Sequence, residues 1–230
     1  LGIGDESVKV FRTTKCKEDG HPEFRIAYDP AVVTVAADAE WLLGWLQDTV
    51  AEGTEYRVGQ KCQIGWVVTD VRQHESGDLT LWEPDMRSLP VEWVEGVTYC
   101  LAHLRAQKDV VESVLPAEDL FVPSLRQSAI ICTRFGPDGG VVMERTQPDG
   151  TDSGWFCGCR EDGHDHNVVT ELRRVSLYEA AIRAPQIVPY LALPPGILVG
   201  LDGGVPVVFR DGEPLRFRPG SYLAARYGDR

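Results

Sequence analysis

The sequence predicts an α+β fold in two small mixed domains, each a mainly antiparallel sheet with one or two helices. Three observations point there. Short β-branched and aromatic runs bounded by Gly, Pro and Asp turns recur in both halves, so strands outnumber helices. Two stretches keep the three-, four- and seven-residue apolar spacing of amphipathic helices. The Pro- and charge-bearing segment Pro116 to Gln127 reads as a linker, placing an acidic domain at 1–120 and a second at 128–230.

Taken in order, Val8 to Arg12 and Phe24 to Tyr28 read as strands around the turn-rich Lys17 to Pro22. Asp38 can cap a helix whose Trp41, Leu42, Trp45, Leu46 and Val50 share a face, ended by Gly53. Lys61 to Val71 and Leu79 to Trp82 flank the loop His74 to Asp78 as a hairpin. Val94, Val97, Leu101, Leu104, Val111 and Leu115 then predict the longest helix, stopped by Pro116. In the second half, Ser128 to Cys132 and Gly140 to Glu144 read as strands, and Trp155-Phe156 lies on another. Ser176 caps a short helix from Leu177 to Ala184, and Gly196 to Gly200 with Val205 to Phe209 form a hairpin. Most of the tryptophans are expected in the cores.

The chain has 230 residues, 43% hydrophobic and 25% charged, as in ordinary soluble globular proteins. No apolar run approaches the ~20 residues that span a bilayer. Leu1-Gly2-Ile3-Gly4 has neither a basic start nor an apolar core, so no secretory signal is expected and the cytoplasm is the default compartment. The net charge of -12 is uneven: residues 1–127 hold 22 acidic against 12 basic side chains, and residues 128–230 hold 13 against 11. Such a surface repels nucleic-acid phosphates and attracts a basic protein partner; the plainer reading is that it keeps the chain soluble. Six cysteines in a chain this long make no disulfide framework, and Cys16, Cys62, Cys100 and Cys132 read as buried free thiols.

Catalytic signatures do not appear. The sequence holds no Gly-x-Ser-x-Gly elbow, no phosphate loop and no His-Glu-x-x-His helix. Glu83-Pro84-Asp85 offers two carboxylates but reads as a surface turn. Two constellations remain. Cys157-x-Cys159 and His164-x-His166 supply four zinc donors, and alternate strand residues point the same way, so each pair can converge on one ion. The plainer reading is small inward cysteines followed by a solvated loop. Asp149, Asp152, Glu161, Asp162 and Asp165 form an acidic stretch able to imitate phosphate charge against a basic cleft, or a loop that is merely solvated.

Asp152-Ser153-Gly154-Trp155-Phe156, Ile187-Val188-Pro189-Tyr190-Leu191 and Pro195-Gly196 give the second half a family likeness. From about Ala129 to Phe209 it resembles the bacterial family named immunity protein thirty-three. There a Ser-Gly-Trp strand precedes an acidic loop, a short helix and a hydrophobic-Pro-Tyr-Leu element. Cys157, Cys159 and His164-Asp165-His166 depart from that pattern. The resemblance implies a cytoplasmic immunity protein, not an enzyme, that binds and blocks a cognate protein toxin; the acidic charge makes a basic toxin the expected partner, and no cofactor is expected unless the Cys/His cluster holds zinc. The candidate contacts are Asp149, Asp152, Glu161, Asp162 and Asp165, with Trp155 supporting them. The alternative is a zinc-binding protein or metal-dependent hydrolase using Cys157, Cys159, His164 and His166.

Overall fold

Alternating burial along short strands builds two separate sheets, seen in a computed structural model that describes residues 8–228. The opening Leu1 to Gly4 run lies outside the described residues. The chain divides into two units, Leu1–Arg105 and Ala106–Arg230. Each has its own mixed, mainly antiparallel sheet, and the fold is α+β. No helix among the described residues is long and apolar enough to cross a membrane.

In the first unit, β1 (Lys9–Arg12), β2 (Phe24–Tyr28), β3 (Lys61–Ile64), β4 (Val67–Gln73) and β5 (Leu79–Pro84) lie in the order β1-β2-β5-β4-β3. A short β6 (Trp93–Glu95) pairs with β5. Among the described strands of this unit, only β2 and β5 run parallel. Helix α1 (Ala36–Ala51) buries Ala39, Leu42, Leu46 and Val50, the inward stripe of its apolar spacing. Its N-cap is Val35, not Asp38; Asp38 lies in the first turn, where its carboxylate takes both N–H groups of the Arg105 fork. Trp41 is half exposed and stacks on Trp45, so this pair lies outside the core where most tryptophans were expected.

The run Lys61 to Val71 breaks into two strands at Gly65, whose φ of 58° makes the β3–β4 turn. Helix α2 (Thr98–Val114) begins four residues later than the Val94 spacing suggests, because Trp93–Glu95 pairs with β5. Glu83 fixes that start. It is 2% exposed, no surface turn, and its carboxylate accepts the Tyr99 and Cys100 backbone N–H groups at 2.9 and 2.7 Å.

The division between units falls inside α2, upstream of the expected linker. Residues after Arg105 bond within the second unit: Gln107 Nε2 donates to the Val188 carbonyl at 3.1 Å, and the Ser113 carbonyl accepts from Arg218 N–H at 2.8 Å. Pro116 to Gln127 lies in the same unit and contains a 3₁₀ turn at Ala117–Asp119.

The second sheet has the order β10-β7-β9-β8-β11-β12-β13. Its strands are β7 (Ser128–Cys132), β8 (Val141–Arg145), β9 (Asp152–Cys159), β10 (Leu172–Ser176), β11 (Ile197–Leu201), β12 (Val207–Arg210) and β13 (Glu213–Pro214). β7 and β9 are parallel, and the other pairs antiparallel. Ser176 caps α3 (Leu177–Arg183) by accepting the Glu179 N–H at 3.0 Å. A 3₁₀ segment follows at Pro185–Tyr190, and α4 spans Tyr222–Tyr227.

Candidate partner surface and metal-ligand cluster

β9 lies inside the second sheet between β7 and β8, so both its edges are paired, and its alternate side chains Ser153, Trp155, Cys157 and Cys159 are buried. The Ser-Gly-Trp run has a local reason. Ser153 Oγ donates to the Ser128 carbonyl at 2.7 Å and ties β9 to β7. Gly154 has φ 77°, and a Cβ there would overlap the Thr146 carbonyl, so no side chain fits. Trp155 is 1% exposed and its Nε1 donates to the Leu191 carbonyl at 3.0 Å. Trp155 therefore lies inside the sheet's core and off the surface. That hydrogen bond also joins two of the motif segments, Ser-Gly-Trp and Ile-Val-Pro-Tyr-Leu.

Arg145 was missed by sequence reasoning, yet it organises the same place. It ends β8 on the inward side of the Val141, Met143, Arg145 alternation, and that register was the available signal. Its guanidinium donates to the carbonyls of Phe121, Leu191, Leu193 and Ser153, with Nη1 distances of 2.7, 3.1 and 2.5 Å to the first three. It also packs against the rings of Phe121 and Trp155. Burial lowers its pKa to about 10.

The acidic stretch does not form one patch. Asp149 and Asp152 stand before or at the start of β9, while Glu161, Asp162 and Asp165 follow its end. The seven strand residues beyond Asp152 separate the two groups, about 23 Å at ~3.3 Å per residue. Asp152 is paired with Arg174 and accepts the Gly154 N–H; these contacts outweigh its burial and lower its pKa. Glu161 pairs with Arg134 at 2.9 Å. Asp165 is exposed and accepts the Asn167 backbone and side-chain N–H groups at 2.9 Å, which lowers its pKa. Asp149 and Asp162 are exposed.

Of the four sequence-predicted zinc donors, Cys159, His164 and His166 come together, and Cys132 completes the group. The four ligand atoms lie within 4.8 Å of one another. Cys157 is not among them; it is fully buried at the Ile131–Met143 register, and desolvation pushes its thiol up to about 12.

No curated protein and no solved structure matches the chain. Residues 106–211, most of the second unit, match the family model of the Imm33-like domain, in agreement with the immunity-protein resemblance carried by the Ser-Gly-Trp and Val-Pro-Tyr-Leu segments.

Proposed function

We propose that this chain is a cytoplasmic inhibitor that binds a cognate protein toxin in a stoichiometric complex and has no reaction of its own. The match to the Imm33-like domain carries this reading. Charge supports the chemistry assigned to the partner. A net charge of -12, with Asp149 exposed before β9 and Asp162 and Asp165 exposed after it, favours a basic surface and speeds encounter with it. The exposed Trp41, stacked on Trp45, is the kind of aromatic side chain that anchors protein interfaces.

Titrating the toxin encoded beside this gene with the purified chain tests the proposal. Activity should fall to zero at an equimolar ratio. The triple substitution Asp149→Asn, Asp162→Asn and Asp165→Asn should slow association about 10-fold at low salt and flatten its salt dependence. Toxin activity surviving an excess of this chain would sink the proposal.

A further inference from the structure

We propose that Cys132, Cys159, His164 and His166 form a structural zinc site that fastens the 160–168 loop to one end of the second sheet. Topology creates the site. Because β7 and β9 run parallel, with Ile131 opposite Cys157, their C-terminal ends reach the same side, and each strand ends on a cysteine. The chain then turns back at Gly163, φ 76°, and brings the two histidines over those thiols.

The donor set and its dimensions suit zinc. Two thiolates and two imidazoles are a common tetrahedral set; Zn–S of ~2.3 Å and Zn–N of ~2.0 Å give ligand–ligand edges of about 3.3–3.8 Å. Cys159 Sγ lies 3.8 Å from His166 Nε2, already close to such an edge. All four ligand atoms fall within 4.8 Å, so small side-chain rotations close the tetrahedron.

Three further features converge on the cluster. His164 Nε2 is buried with no hydrogen-bond partner among the described residues, a cost that coordination would remove. The Cys159 N–H donates to Cys132 Sγ at 3.2 Å, a second-sphere contact that stabilises a thiolate. Gly158 leaves the space occupied by the imidazole, since a Cβ there would lie 2.7 Å from His166 Cε1.

Four protein ligands close the coordination sphere and leave no position for water, so the site is structural and not hydrolytic. Binding displaces the two thiol protons and leaves the zinc–dithiolate unit neutral. The loop thus held is the one that carries Glu161, Asp162 and Asp165.

The test uses the full chain, expressed with zinc and purified without immobilised metal. Elemental analysis should find about one zinc per chain, because a closed site retains its metal. Cys132→Ser and His166→Gln should each drop below ~0.2 zinc per chain, whereas Cys157→Ser should keep it. Replacing the metal of the unsubstituted chain with cobalt(II) should give the visible absorption of tetrahedral sulfur–nitrogen coordination, a readout independent of whether the variants fold. Three results overturn the proposal. One is a metal-free chain that gives no cobalt spectrum on reconstitution. Another is zinc lost in Cys157→Ser but kept in Cys132→Ser. The third is a Cys132–Cys159 disulfide in the non-reduced peptide map.

Discussion

Arg145 brings a guanidinium into the second core, where its hydrogen bonds among the described residues all go to backbone carbonyls. Carbonyl dipoles can hold a buried cation, but each then depends on it. Removing the side chain takes a donor from the Phe121, Leu193 and Ser153 oxygens and leaves Leu191, in the same segment, held by Trp155 alone. Arg145→Met keeps the apolar stem and loses the donors. It should cost about 3 kcal/mol, the scale for breaking a buried charged network. Arg145→Lys keeps the charge without the planar fork and should recover only part of that loss. Urea unfolding followed by circular dichroism measures both. A Met variant within about 0.5 kcal/mol of the original would show that the carbonyls find other partners.

Helix α2 depends on two buried titratable groups with opposite signs. Glu83, beneath its first turn, has its pKa raised to about 7 by burial, despite the hydrogen bonds from Tyr99 and Cys100 and with a small contribution from nearby Asp85. His103, packed by Trp66 and Tyr99, has its pKa lowered to about 4 by burial. Between about pH 4.5 and 7 the folded chain keeps a Glu83 proton that the unfolded chain releases, so this contribution falls as pH rises. Between about pH 4 and 6.5 the unfolded chain keeps a His103 proton that the folded chain excludes, so this contribution rises. Each slope approaches 1.4 kcal/mol per pH unit, and the two oppose each other where the windows overlap. Glu83→Gln retains an acceptor and should leave stability rising through that range; His103→Phe should leave it falling. Urea midpoints across pH 4 to 7.5 check this, and parallel profiles for the three proteins would refute it. Asp70 and Asp78, whose pKa values lie below the ordinary aspartate value, titrate below the window. Neither group's depth was legible in the sequence. Strands β2 and β7 and the Ser176 cap were, because alternation and capping are local patterns. Glu83 looked like a turn residue because its burial depends on β6 and α2 packing around it. Cys132 looked like an isolated thiol because only the non-local β7–β9 pairing brings it beside Cys159.

At the scale of the whole molecule, the apolar spacing through Leu115 suggested that α2 belongs to the first domain, with a break after Pro116. The structure divides the chain inside the helix instead. Val110, Val111, Val114 and Leu115 are buried and belong to the second unit. Ser113 adds two bonds there, its carbonyl accepting from Arg218 N–H and its Oγ from Leu223 N–H at 2.8 and 3.1 Å. Burying an aliphatic side chain is worth about 1.5–3 kcal/mol, so four of them approach the entire ~5–15 kcal/mol stability of a domain. The fragment 128–230, the domain expected from sequence, should therefore lack a cooperative urea transition. The fragment 98–230, which keeps all of α2, should unfold cooperatively and give a dispersed amide spectrum. The Imm33-like match also begins at residue 106. Equal midpoints for the two fragments would mean that these four side chains contribute little to that core, and the division at Arg105 would lose its energetic basis.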